Sequence, residues 1–257
     1  MASIFYLHGG PGLSVAIEST RFPLAEQVQW WQQPSAASCA QRPYLDLLEA
    51  ALAEFRRSAQ AHGAPLTLMA SSFGAHLATY IANHAPEAVA RVVLLAPTYN
   101  PEQAALRLAR HALAVNAGHA DVPKVQAALA AYDAAPGRAK FWEVFGVLQL
   151  LPDVPSLYFG PNAGDAPGHF LGVLHQPGAF DGPSSVAISD DFAASFQAPG
   201  RSAFNGPVSI VFGRHDPMID AEHDGALWRA VFPQAVFRTV DSGHFPLLES
   251  SVEACLA

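Results

Sequence analysis

The pentapeptide Ala70-Ser71-Ser72-Phe73-Gly74 sets two hydroxyls between an apolar run and a helical pattern. A nucleophilic serine on a sharp strand-to-helix turn needs small residues two positions before and two after. Larger side chains would collide in that strained backbone. Around Ser72 these neighbours are Ala70 and Gly74, both small; around Ser71 they are Met69 and Phe73, both bulky. Only Ser72 fits the requirement, with Ala70 standing where the usual GxSxG pattern has its first glycine. The chemistry such a serine would do is acyl transfer.

A lone hydroxyl is a weak nucleophile and needs a base, and the base needs an orienting acid. On a strand–turn–helix scaffold the partners follow in the order Ser, acid, His, each just beyond a later strand. "SIVFGRHDPM" puts Asp216 after one late strand, and "FRTVDSGHFPLLE" puts His244 after the next. Asp241 is the competing acid, but it shares a loop with His244, and the earlier strand end favours Asp216. His215 precedes Asp216 and reads as a loop residue, and Asp220 as a helix cap. The chain has 11 histidines, so position in the chain, not residue type, selects His244. An oxyanion would need two backbone N–H donors. The loop "HGGPG", His8 to Gly12, supplies one, from Gly10 or alternatively Gly9; Phe73, next to the nucleophile, supplies the other. His8 reads as a tie for that loop, and His76 and His84 as ordinary helix residues.

Three loops must bring these groups together, so the elements before them matter. "SIFYL", "LTLMAS", "VVLL" and "VSIVF" are apolar runs of strand length, as expected for strands covered on both faces. Helical spacing separates them: Leu45, Leu48, Leu52 and Phe55 lie on one stripe between Pro43 and Gly63. "VQWW", flanked by glutamines, reads as an edge strand near Val28 to Trp31. A helix from about Asp220 to Val231, the strand "AVFRTV" and a terminal helix around Leu247 to Leu256 complete the rhythm. The expected fold is α/β, a doubly wound, mostly parallel sheet of about six strands. The alternation breaks between Pro97 and Asn205. Three helical patterns there precede a Pro/Gly-rich, aromatic stretch over 152–200. The expected division is a core from residues 1–97 and 206–257 with a mainly helical cap over 98–205.

Composition removes several function classes. Of 257 residues, 51% are hydrophobic and 14% charged, which suits a globular domain with ample core. The net charge of −8 comes without a Lys/Arg cluster, so nucleic acid is not an expected partner. No apolar run reaches the roughly 18 residues of a membrane span, and the N-terminal segment lacks the pattern of a signal peptide. Cys39 and Cys255 form no metal-binding or disulfide pattern and read as free thiols in a reducing compartment, so a cytoplasmic location is expected. Neither metal nor organic cofactor is expected; the oligomeric state is left open.

HGGPG, ASSFG, GRHD and SGH, in this order, resemble the α/β-hydrolase superfamily, and the HGGPG loop resembles its proline iminopeptidase-like branch. The resemblance covers nearly the whole chain and implies the cap insertion. It also implies that the first two strands of that branch's sheet are lacking here. The branch's DQRGxGxS segment is replaced by "QQPSAASCAQRP". Trp142-Glu143 looks similar to the pair with which that branch binds a substrate amine; the alternative is a surface glutamate on an amphipathic helix. A second amine-binding acid has only Asp165 as a candidate counterpart.

The expected function is a serine hydrolase acting on a small, partly apolar ester or amide through an acyl-enzyme. Phe141, Trp142, Phe145, Tyr158, Phe159 and Phe170 would line its pocket or form the cap's own core. The alternatives are an aminopeptidase of the proline iminopeptidase type, a lyase or acyltransferase on the same scaffold, and a non-catalytic ligand-binding module.

Overall fold

The computed structural model describes residues 3–22, 27–37 and 40–256. Its centre is a six-stranded sheet in the order β2-β1-β3-β4-β5-β6. The strands are β1 (Ile4–Leu7), β2 (Val28–Trp31), β3 (Leu66–Ser71), β4 (Val89–Leu95), β5 (Val208–Gly213) and β6 (Val236–Val240), all paired in parallel. Parallel pairing needs a crossover between strands, which helices supply, and two more helices follow the last strand. The helices are α1 (Ala16–Ser19), α2 (Pro43–His62), α3 (Gly74–His84), α4 (Pro101–Val115), α5 (Val122–Ala134), α6 (Arg138–Leu148), α7 (Ala166–Leu174), α8 (Gly182–Ser195), α9 (Ala221–Val231), α10 (Pro246–Glu249) and α11 (Val252–Leu256).

Residue alternation along the strands divides the core in two. Phe5, Leu7, Leu68, Ala70, Val92, Leu94, Ile210 and Phe212 pack with residues of α2, α3 and α9. Tyr6, Met69, Val93, Leu95 and Val211 face the other way, toward Leu247 and Cys255. Both faces are covered, which is why these strands read as unbroken apolar runs. Complete burial of Phe5, Phe55 and Trp228 contributes on the order of 2–3 kcal/mol each.

Local signals set the helix ends. Pro43 opens α2, and Gly63 closes it in the left-handed conformation at φ 76°. Asp220 caps α9, its side chain accepting from the N–H groups of Glu222 (3.2 Å) and His223 (2.9 Å). The terminal helix expected over Leu247 to Leu256 is instead two, α10 and α11, because Ser250 is extended at φ −118°, ψ 169°. The Ser251 hydroxyl then accepts from Ala254 N–H at 3.1 Å and restarts the helix.

Between β4 and β5 the chain forms α4 to α8 and a short 3₁₀ turn, Val154–Tyr158. This segment holds a second core, in which Phe141, Val144 and Leu148 of α6 meet Leu106 of α4 and Leu129 of α5. No described helix is long and apolar enough to cross a membrane. Cys255 is a buried thiol pushed up to about 12 by that burial; Cys39 lies outside the described residues.

The strand order decides where a ligand can sit. The chain runs from β1 outward to β2 and then crosses back to β3. The loops after β1 and β3 therefore leave their strand ends in opposite directions, and the opening between them is the position where such sheets bind ligands.

Candidate active site

Ser72 stands at that opening. Its φ of 50° is one of three positive values among the described non-glycine residues. The residue continues the ladder by donating its N–H to Leu95 O at 2.9 Å, then turns sharply into α3. Sterics explain its small neighbours. Ala70 is completely buried between strands. A Cβ on Gly74 would come within 2.5 Å of Leu7 O and 2.8 Å of His8 O. A Cβ on Gly9 would lie 3.0 Å from Ser72 Cβ, so the loop after β1 also leaves room for this serine.

The two serines separate by the period of a strand. Ser71 faces away from α3, and its hydroxyl is hydrogen-bonded to Tyr6 Oη at 2.8 Å. Tyr6 donates to Glu18 Oε1 at 2.9 Å. Glu18 is buried, its Oε2 has no partner among the described residues, and its carboxyl is pushed up to about 8 by burial.

His244 Nε2 lies 2.8 Å from Ser72 Oγ, and its Nδ1 lies 2.7 Å from Asp216 Oδ2. Asp216 Oδ1 accepts from Met218 N–H at 2.8 Å, which anchors the carboxylate. Both partners are buried. The competing pair sorts itself separately: His215 Nε2 meets Asp241 Oδ1 at 2.9 Å. Residues 72, 216 and 244, which come from three loops, thus form one hydrogen-bonded line.

Gly10 turns the first loop at φ 53°. Among the described residues, the N–H groups of Gly10 and Phe73 donate to no protein acceptor. His8 fastens this loop: its Nδ1 binds Gly9 O at 2.9 Å, and its Nε2 accepts from Gln33 N–H at 3.2 Å. Burial lowers its imidazole to about 4, so it is neutral.

In the sequence the glutamines after β2 mark only a wet edge; the structure gives them more to do. Gln33 is buried and donates from Nε2 to His8 O at 3.2 Å. Gln32 Oε1 accepts from Val15 N–H at 2.9 Å. Because β1 and β2 are parallel, residues just beyond both strands meet at one edge, and that adjacency was the available signal. His76 is likewise more than a helix residue. It is buried among Phe73, Phe192 and Trp228, with Nε2 bound to Thr98 O at 2.9 Å, and burial lowers it to about 4.

Trp142 and Glu143 sit on α6, in the segment between β4 and β5. Trp142 Nε1 donates to Asp190 Oδ1 at 2.8 Å, and the Arg138 guanidinium lies over its ring. Glu143 is exposed. Among the described residues, neither is hydrogen-bonded or ring-packed to Ser72 or His244. Asp165 is exposed and paired with Arg21 at 2.8 Å. Of the six aromatic residues expected as pocket wall or cap core, Tyr158 places its ring against His244, with centroids 6.1 Å apart. Phe159 and Phe170 pack into the cluster around Phe245, and Phe141 into the α4–α6 core. The described residues contain no group of three or more His, Cys, Asp or Glu arranged to hold a metal ion.

An all-parallel sheet with helices on both faces, and a serine, an acid and a histidine just beyond β3, β5 and β6, defines a class of α/β proteins. The chain belongs to the alpha/beta hydrolase fold family, whose profile matches residues 60–251. Among solved structures it is similar to a serine hydrolase from the polyaromatic hydrocarbon-degrading bacterium Cycloclasticus zankles. That match has 16% identity and a TM-score of 0.54, covering 97% of this chain and 85% of the other. It is also similar to 2-hydroxy-6-oxo-6-phenylhexa-2,4-dienoate hydrolase from Rhodococcus sp. strain RHA1, at 16% identity and TM-score 0.58, over 96% and 85% of the two chains. A proline iminopeptidase-related protein from Thermus thermophilus matches at 18% identity and TM-score 0.56, over 98% and 85%. At such identities the likeness speaks for the fold alone. No curated protein matches the chain.

Proposed function

We propose that the protein is a serine hydrolase that cleaves a small, partly apolar ester or amide by acyl transfer. The observation that carries this reading is the unbroken line from Asp216 through His244 to Ser72. Ser72 Oγ attacks the carbonyl carbon while His244 Nε2 takes its proton. Asp216 holds the Nδ1–H tautomer and stabilises the imidazolium. The carbonyl oxygen becomes an oxyanion and accepts from the N–H groups of Gly10 and Phe73. The tetrahedral centre then collapses, and the leaving group departs with the proton from Nε2. Water attacks the acyl-enzyme and gives a proton to the same nitrogen, and the acid is released as that proton passes from Nε2 to Oγ. In this reading residues 1–97 and 206–257 form the hydrolase core and 98–205 the cap.

A fluorophosphonate probe tests the proposal. Wild type is expected to label and Ser72→Ala not to. A well-folded wild type that stays unlabelled would overturn the reading and favour a binding module.

The HGGPG loop supports a second reading, an aminopeptidase of the proline iminopeptidase type. The exposure of Glu143 and the commitment of Trp142 to Asp190 weigh against it. Rates on proline and alanine arylamides, with and without a blocked amine, separate the two. A preference for the free amine that collapses in Glu143→Gln supports the aminopeptidase; equal rates exclude it.

A further inference from the structure

Glu249 ends α10, five residues beyond His244. Its Oε2 accepts from Gly160 N–H at 2.7 Å and from Gly243 N–H at 3.0 Å, and its Oε1 lies 3.0 Å from the same Gly243 nitrogen. One carboxylate thus joins two segments far apart in the chain: residue 160, between β4 and β5, and the residue immediately before the imidazole. The next N–H in the loop, that of His244 itself, donates to Tyr158 O at 2.6 Å. Both backbone donors at the base of the histidine are therefore held by, or bridged to, residues 158–160.

Apart from the Glu249 carboxylate, glycines let the backbones approach closely there. A Cβ on Gly243 would overlap the Tyr158 carbonyl, and one on Gly213 would overlap the Gly243 carbonyl. A Cβ on Gly160 would stand 3.2 Å from Gly243 N. The contact reaches the acid too, because His215 N–H, next to Asp216, donates to Ser242 O at 2.9 Å. Phe159 stacked on Phe245, with centroids 5.3 Å apart, forms the apolar side of the attachment. A carboxylate suits this place because it offers only acceptors, and its bonds to N–H groups are charge-assisted. An amide would turn its NH₂ group toward one of the two glycine donors.

We infer that Glu249 is a positioning residue. It locks the histidine loop to the 158–160 segment, so that His244 is aligned on Ser72 only while that segment is seated. The inference rests on the reading of His244 as the general base. A misplacement of about 1 Å at a reacting group costs about 100-fold in rate.

The test uses the full chain, with fluorophosphonate labelling rates and steady-state kinetics on a short p-nitrophenyl ester, below the melting range of every variant. Glu249→Gln is expected to lower the labelling rate and kcat by about 10–100-fold, with KM nearly unchanged. Glu249→Asp, whose shorter arm keeps the charge, is expected to recover part of the loss, and serves alone if the glutamine variant does not fold. Asn162→Ala removes a neighbouring exposed contact to Asp241 (3.0 Å) and is expected to leave both rates at the wild-type level. Wild-type labelling and kcat in folded Glu249→Gln, even with a lowered melting temperature, would overturn the inference and leave the triad standing; where that variant does not fold, wild-type rates in Glu249→Asp, whose shorter arm cannot span both glycine donors, do the same. Wild type that does not label removes both.

Discussion

At the scale of single residues, one step along β3 separates two hydroxyls with different fates. Ser71 points to the Tyr6 side of the sheet, while Ser72, at φ 50°, leaves the strand toward His244. Ser71→Ala removes a buried hydrogen bond worth about 1 kcal/mol and is expected to label within a few-fold of wild type. Loss of labelling in that variant would make Ser71 the nucleophile and refute the assignment to Ser72. The two acids are tested the same way. Asp216→Asn is expected to lower kcat by about 10⁴-fold through the wrong imidazole tautomer. Asp241→Asn touches only the exposed His215 and Asn162 contacts and is expected to stay within a few-fold. Ester kinetics on the two variants decide the assignment, and a reversed order would refute it.

At the scale of elements, the loop after β1 depends on residues after β2. Gln33 supplies two of the bonds that hold His8: its N–H to Nε2 and its side chain to the backbone oxygen. In the proposed mechanism this loop supplies the Gly10 N–H to the oxyanion, so its disorder would scatter that donor. Gln33→Ala is expected to lower kcat by about 10–100-fold, short of the loss expected for Asp216→Asn. Steady-state kinetics check this, and an unchanged kcat would show that the loop holds without the glutamine. On α6, Trp142 is taken up by Arg138 and Asp190, an arrangement internal to the segment between β4 and β5.

For the whole molecule, buried titratable groups set how stability responds to pH. His8 and His76 are held to about 4, below their ordinary value of 6.5. The unfolded chain therefore binds protons that the folded chain refuses, and stability falls as pH drops from about 6.5 toward 4, by about 3 kcal/mol for each histidine. Glu18 acts in the opposite direction. Its carboxyl is raised from 4.5 to about 8, so stability falls as pH rises across that interval. Glu18→Gln, which keeps the acceptor for Tyr6 and cannot ionise, is expected to be more stable relative to wild type at pH 8 than at pH 5. Urea unfolding at the two pH values measures the difference, and an equal effect at both would refute a buried, shifted Glu18.

Much of this was legible in the chain because it rests on local rules. Apolar runs without alternation mark strands covered on both faces. Pro43, Gly63 and Asp220 announce helix ends through their own backbone and side-chain chemistry. The small pair Ala70 and Gly74 selects Ser72, because the steric demand of the turn falls on residues only two positions away. Strand-end position already favoured Asp216 over Asp241 as the partner of His244; only tertiary structure decided that Asp241 meets His215 instead. It also decided that Gln33 holds His8, that Trp142 turns to Asp190, and that Glu249 joins Gly160 to Gly243. Those contacts form between segments whose separation along the chain carries no information about their approach. Their closeness follows from how the sheet stacks its strand ends, which no short stretch of residues encodes.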